Sequence, residues 1–212
     1  DIDAADAIRR ITERIYDFYV QHNLLDELKA EPGKRFTANG VIYSYARNEV
    51  WQVGDCQCII DNLYSSNEKE IDAIMADVRA VVNEVALLGG ATMKDLESHD
   101  PGREFIYPFL QKQALLQNCP IQGQPFSFSV FDGFPVQMEQ VKVFPVGDAK
   151  EVVLASDGYP HLYSTLYASE CYLADILEKD PLCIRLYKST KGIQEGNCSF
   201  DDRAYLKIRI NR

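Results

Sequence analysis

The chain has 212 residues, of which 46% are hydrophobic, so it is long enough to bury one sizeable core. We therefore expect a single domain over residues 1–212. Its 32 acidic side chains outnumber its 22 Lys and Arg side chains, and the formal net charge is −10. This charge argues against nucleic acid or an anionic membrane as a partner, because both require clustered cations.

The cysteines and the start of the chain indicate the compartment. Six cysteines are present, but none form a Cys-x-x-Cys pair, and their density is low for a secreted domain held by disulfides. The sequence has no apolar run of about 18 residues, and its first residues lack the basic and then apolar pattern of a signal peptide. We expect a cytoplasmic protein with reduced thiols. Because the chain starts without methionine and almost directly in a helical pattern, we also expect that an upstream segment has been removed.

The first half of the chain combines strong helical patterns with short strand patterns. Apolar residues recur at spacings of three, four and seven along residues 3–30, which predicts an amphipathic helix. Residues 41–46 and 50–53 then predict an antiparallel hairpin that continues into a third strand or an extension at residues 56–60. A second helical stripe over residues 71–88 ends at a Gly-Gly pair, which suits a helix C-terminus.

The second half begins with a weaker helical pattern and then returns mainly to strands. The predicted elements are a helix over residues 103–117, strands over 126–131, 137–145 and 151–156, a helix over 165–179 and a last strand over 204–210. The order of these elements lacks the strict strand-helix alternation of a parallel sheet. It predicts an α+β fold in which strands joined as hairpins are covered by helices.

Short acidic turns at the ends of predicted strands are candidates for a functional site. These turns contain Asp55, Asp132, Asp157 and the pair Asp201-Asp202. Each turn could direct a carboxylate to one common edge of the predicted sheet. Carboxylates gathered in this way repel one another unless a divalent cation lies between them, and oxygen ligands suit Mg²⁺ or Mn²⁺. The alternative is that each aspartate only forms a turn, since Asp-Gly is a common turn dipeptide. Residues 152–158 favour the metal site most, because a fully apolar strand leads directly into Asp157 and a glycine.

Four segments resemble motifs of the type-2C family of metal-dependent serine/threonine protein phosphatases. Residues 152–158 resemble its strand followed by Ser/Cys-Asp-Gly, and residues 201–204 resemble its late Asp-Asn/Asp-x-Thr motif. Residues 50–56 are similar to its Val-Gly-Asp-Ser hairpin, and residues 128–133 stand where the family has a Thr-Arg-x-x-Gly-Asp-like stretch. The four segments occur in the family's order over residues 38–210.

The resemblance implies a layered α-β-β-α sandwich of two mostly antiparallel sheets flanked by helices. It also implies two Mn²⁺ or Mg²⁺ ions that activate a water molecule to hydrolyse phosphoserine or phosphothreonine in a phosphoprotein substrate. The nucleophile would be the metal-bound water, so no catalytic side chain is assigned. Asp157 and Asp201 match the family's ligand positions, and we choose Asp201 over Asp202, whose side chain points to the opposite face if the strand has begun. Asp55 matches an acid near a weaker third metal in some members, and His161, four residues after Asp157, either serves that third site or simply packs at the solvent edge.

The chain also departs from the family's pattern. Two strands that carry an acidic pair and a bridging Asp-Gly in the family would precede Asp1, so the resemblance predicts a domain that lacks its amino-terminal strands. If the chain is whole, a bridging metal ligand is missing. The alternative function is therefore that of a pseudophosphatase, which acts as a binding or regulatory module. Ala204, where the family has Thr, and His161 favour that reading. A third possibility is an unrelated interaction domain whose Asp-Gly turns are only turns.

Overall fold

A computed structural model gives the structure of residues 2–194 and 196–211. None of the helices in these two ranges is both long enough and apolar enough to span a bilayer. In chain order the helices and strands are α1 (Ala4–Gln21), α2 (Leu25–Ala30), β1 (Gly40–Ser44), β2 (Glu49–Val53), β3 (Gln57–Ile60), β4 (Leu63–Ser66), α3 (Glu70–Leu88), α4 (Met93–Ser98), α5 (Pro101–Lys112), β5 (Lys142–Pro145), β6 (Glu151–Ala155), α6 (Leu166–Lys179) and β7 (Tyr205–Arg209).

The strands form two antiparallel sheets that pack face to face. The first sheet has the order β1-β2-β5, and the second has the order β4-β3-β6-β7. Val50 of β2, Cys58 and Ile60 of β3, and Val152 and Leu154 of β6 belong to one buried cluster, which fills the space between the sheets. Since side chains alternate along a strand, the residues between them face outward.

Helices cover both outward faces. On the first sheet, Ala4 and Ala7 of α1 pack against Trp51, and Ile8 packs against Val53. On the second sheet, Val153 and Ala155 pack in a cluster that includes Leu173 of α6. The α-β-β-α sandwich of two antiparallel sheets flanked by helices is therefore confirmed.

The helix predicted over residues 3–30 is broken into α1 and α2. Asn23 takes a left-handed conformation with φ of 56°. The backbone N–H of Leu24 donates to the Tyr19 carbonyl at 2.9 Å, and that of Asn23 donates to the Val20 carbonyl at 3.1 Å. This pair of bonds is a Schellman motif, which ends a helix and is usually built on glycine. The apolar stripe continues across the break, so the pattern alone did not show it.

The prediction of a strand over residues 126–131 is wrong. This segment makes only two isolated β-bridges, Phe131 with Ala38 and Phe128 with Gln117. The Asn118 side chain takes the place of a neighbouring strand: its amide donates to the Val130 carbonyl at 2.9 Å, and its oxygen accepts from the Val130 N–H at 3.2 Å. A side chain can satisfy a buried backbone in this way without a continuous ladder. The strand β4 and the helix α4 were not predicted. The strand predicted at residues 56–60 corresponds to β3, which belongs to the second sheet and does not extend the β1-β2 hairpin.

Candidate functional site

The pairing of β6 brings three of the predicted site residues to one edge of the second sheet. Ala155, the last residue of β6, is paired with the first residue of β3 on one side and with the first residue of β7 on the other. Because both neighbours are antiparallel to β6, its end lies beside their beginnings. Asp157 follows β6, Asp55 precedes β3 and Asp201 precedes β7. The strand topology therefore gathers these three carboxylates at one edge.

A pocket of about 160 Å³ lies at this edge, and Asp55, Asp157 and Asp201 all line it. The beginning of α3 adds Lys69 and Asp72 to the lining. Residues 188–190, from the polar loop before β7, form another part of the wall. The pocket is thus acidic but also contains cations from two other parts of the chain.

A close approach of two backbone segments fixes Asp157 against Asp201. At Gly158 an added Cβ would overlap with the carbonyl oxygen of Asp202, so only glycine allows the two turns to pack at this distance. The Ala204 N–H donates to the Ser156 hydroxyl at 2.9 Å, and the Ser156 N–H donates to the Ala204 carbonyl at 3.2 Å. Asp201 lines the acidic pocket, whereas Asp202 lines a neighbouring cavity and not this pocket.

Asp55 is neutralised by a lysine. It is buried, its Oδ2 lies 2.5 Å from the Lys69 ammonium, and its Oδ1 accepts a hydrogen bond from the Asn39 amide. Lys69 also lies 3.4 Å from Asp72. Burial alone would lower the pKa of Lys69, but the carboxylates of Asp55 and Asp72 outweigh it, so the pKa is raised. Lys69 therefore stays charged within the pocket.

The other two aspartates differ in their charge compensation. Asp201 forms an ion pair with Lys191 at 2.5 Å. Among residues 2–194 and 196–211, no cationic side chain forms an ion pair with Asp157. The pKa of Asp157 is raised to about 6 by the partial loss of water in the pocket and by the carboxylates of Asp55 and Asp201. Asp157 is therefore the carboxylate whose negative charge is least compensated.

This raised pKa predicts how Asp157 affects stability. The folded chain holds the Asp157 proton more tightly than the unfolded chain, whose aspartates have a pKa of about 4. Ionisation of Asp157 hence lowers the stability of the metal-free fold as pH rises from about 4 to about 6, and this loss of stability persists at higher pH. Asp157→Asn removes this loss, so we expect its melting temperature to exceed that of wild type at about pH 7.5 and to approach it at about pH 4. Thermal unfolding followed by circular dichroism, with Asp202→Asn as control, tests this; a difference that does not depend on pH would contradict it.

Two other predicted residues lie elsewhere. Asp132 is buried, and it accepts hydrogen bonds from Arg35 at 3.1 Å and from the Asn118 amide at 2.8 Å. Its carboxylate closes a loop instead of lining the acidic pocket. His161 is also absent from the pocket wall, and its ring packs 4.6 Å from the ring of Tyr64, between centroids. The structure thus brings Asp55, Asp157 and Asp201 together but not Asp132 or His161.

The donor set suits a hard divalent cation in its chemistry but is not preformed. Carboxylate oxygens are the ligands that Mg²⁺ and Mn²⁺ prefer, and the charge of Asp157 is the least compensated of the three. However, the part of the chain that the structure describes has no group of three His, Cys, Asp or Glu side chains arranged to hold a metal ion. Lys69 and Lys191 occupy oxygens of Asp55 and Asp201. A metal ion at Asp201 would therefore have to compete with Lys191.

The sequence did not single out Lys69 or Asp72. A lysine at the residue before a helix and an acid in its first turn are common on solvated helix ends, so neither pattern signals a site. Cys56, next to Asp55, is not suited to act as a nucleophile, because burial and the Asp55 charge raise the pKa of its thiol to about 12 and so oppose thiolate formation. Comparisons with protein-family models, with curated proteins and with solved structures find no match to this chain.

Proposed function

We propose that this chain is a type-2C-like phosphomonoesterase domain that hydrolyses phosphoserine or phosphothreonine in proteins with Mn²⁺ or Mg²⁺. The observation that carries the proposal is the convergence of Asp55, Asp157 and Asp201 on one pocket, where Asp157 forms no ion pair within residues 2–194 and 196–211. The α-β-β-α sandwich agrees with the fold that the motif resemblance implies.

The chain's own residues would contribute as follows. Asp157 and Asp201 would hold the metal ion, and Asp55 would keep Lys69 charged at the wall of the pocket. When bound, the metal lowers the pKa of a water molecule and neutralises charge on the phosphoryl group. Gly158 keeps the Asp157 and Asp201 turns in contact, so that both carboxylates face one space.

Titration with Mn²⁺ and Mg²⁺ by calorimetry tests the proposal. We expect wild type to bind and both Asp157→Asn and Asp201→Asn to weaken binding by at least about tenfold, since even residues that only support metal ligands have effects of this size. Asp202→Asn is the matched control, because its side chain is next in sequence but does not line the pocket. Hydrolysis of a phosphothreonine peptide should depend on the metal and be lost in the first two variants. Absence of metal binding by wild type would refute the proposal.

The Lys69–Asp55 ion pair favours a second candidate, a pseudophosphatase that acts as a binding or regulatory module. An internal ammonium 2.5 Å from a carboxylate supplies the positive charge that a metal ion would otherwise provide. In this case phosphopeptide binding would persist in the presence of EDTA, and no phosphate would be released. Measuring binding and phosphate release on the same samples separates the two candidates.

A further inference from the structure

A second, larger cavity adjoins the acidic pocket. It has a volume of about 800 Å³ and shares Tyr159, Phe200 and Asp201 with the pocket. A volume of this size is typical of clefts that hold small ligands. Its wall contains three cationic side chains, which come from α5, from the polar loop and from the segment before β7: Arg103, Lys191 and Arg203.

Arg103 differs from the other two cations in its partners. Lys191 is paired with Asp201, and Arg203 is paired with Glu170 at 2.6 Å. Within the described parts of the chain, Arg103 forms no ion pair, and its side chain donates one hydrogen bond, from Nη1 to the Thr190 carbonyl at 2.8 Å. A guanidinium has five N–H donors, so most of those of Arg103 remain available to a ligand.

The backbone around Arg103 is held firmly. At Gly102 an added Cβ would lie 2.5 Å from the Arg79 carbonyl oxygen, so α5 begins in direct contact with α3. The Gly102 N–H donates to the Asn83 side chain at 2.9 Å, and the Arg103 N–H donates to the Asp100 carboxylate at 2.8 Å. These contacts fix the point from which the Arg103 side chain extends.

Arg103 lies close to the acidic pocket as well as to the cavity. It also lines a hollow of about 310 Å³ together with Asp72 and Asp201, both of which belong to the acidic pocket. Partial burial and the nearby Arg79 lower the pKa of Arg103, and the charges of Asp100 and Asp201 only partly offset them. A partly desolvated arginine that forms no ion pair is unfavourable, and an anionic ligand would relieve this cost.

We propose that Arg103 binds the phosphoryl group of the substrate, with its guanidinium donating to two phosphoryl oxygens beside Asp201. The planar guanidinium matches the geometry of phosphate oxygens and forms two parallel hydrogen bonds to them. In the proposed hydrolysis, such a contact would hold the phosphoryl group beside Asp201, which together with Asp157 would hold the metal ion. This inference rests on the proposed function and adds to it a substrate-binding residue outside the acidic turns.

Titration with inorganic phosphate and with phenyl phosphate tests the inference, with and without Mg²⁺. We expect Arg103→Gln to weaken binding of both probes by between about tenfold and a hundredfold, because charge-assisted hydrogen bonds are lost. Arg103→Lys keeps the positive charge but loses the planar guanidinium with its paired donors. Its affinity for phosphate should therefore lie between those of wild type and Arg103→Gln. Lys112→Gln is the matched control: it removes one positive charge from the same helix at an exposed position that lines none of these cavities.

Two outcomes would overturn the inference: equal phosphate affinity in wild type and in folded Arg103→Gln, or no phosphate binding by wild type. Circular dichroism of each variant shows whether it is folded. A separate Mn²⁺ titration distinguishes failure of the proposed function from failure of the inference. Metal binding that is unchanged in Arg103→Gln while phosphate binding is lost supports both. Phosphate binding that depends on Arg103, in a chain that binds no metal, refutes the hydrolytic function but keeps the Arg103 contact.

Discussion

Replacing Arg79 with methionine should lower the free energy of unfolding by about 3–5 kcal/mol, the cost of removing one partner from a buried ion pair. Arg79 is fully buried in α3, and its guanidinium lies 2.6 Å from the Asp100 carboxylate. Methionine fills a similar volume but leaves Asp100 without its counter-ion.

The same substitution would release the loop that borders the acidic pocket. Arg79 donates hydrogen bonds to the backbone carbonyls of Leu182, Cys183 and Ser189 at 2.9, 3.3 and 2.9 Å. Ser189 lines the pocket, so we also expect weaker metal binding in any Arg79→Met protein that still folds.

Urea unfolding followed by circular dichroism measures this effect. Arg185→Met is the matched control, because Arg185 forms a surface ion pair with Glu84 in the same region, and exposed pairs contribute little to stability. We expect a large shift of the urea midpoint for Arg79→Met and almost none for Arg185→Met. Equal shifts of the urea midpoint in the two variants would show that the buried contacts of Arg79 stabilise the fold no more than a surface ion pair does.

The second large effect is expected for Gly158→Ala. The added methyl group would overlap with the Asp202 carbonyl oxygen, and backbone atoms cannot move aside as a flexible side chain can. Overpacking of this kind costs about 1–3 kcal/mol. Because the two turns would move apart, Asp157 and Asp201 would no longer face the same space, and metal affinity should fall together with stability.

Gly33→Ala serves as the control for Gly158→Ala. A Cβ at Gly33 would meet its nearest atom, the Gln111 carbonyl oxygen, at 3.7 Å, which is an ordinary contact. Urea unfolding and Mn²⁺ titration of both variants check the prediction. If Gly158→Ala bound Mn²⁺ as wild type does, the close approach of the two turns would not be needed for the site.

The parts of the fold that could be predicted from the sequence have one clear apolar face and a marked end. The helix α3 was predicted almost to the residue, because its apolar stripe ends at Gly89 and Gly90. The crossing of β3 into the second sheet was not predictable in the same way. All four residues of β3 are buried, so the strand shows no alternation that would indicate which face, or which sheet, it joins.

The sequence singled out Asp55, Asp157 and Asp201 because each lies in a short acidic turn at the end of a predicted strand. Asp157 follows the buried strand β6 and lines the acidic pocket, while its role as a metal ligand stays a prediction. Asp132 has the same local pattern, an aspartate before glycine after apolar residues, yet it is bonded to Arg35, which lies 97 residues earlier. Distant partners of this kind decide whether an aspartate lines a pocket or pairs with an arginine. Lys69 and Arg103 were missed for the same reason, since their neighbours in space are far away in sequence.

The position of β7 has a consequence for the order of events during synthesis. β6 can pair with β3 as soon as both have left the ribosome, and this pairing already places Asp55 beside Asp157. Asp201 arrives only when β7 adds to the other side of β6, and contacts between distant segments form slowly. A nascent chain would therefore carry two crowded carboxylates without the third, and any metal-dependent activity would begin only after this strand is in place.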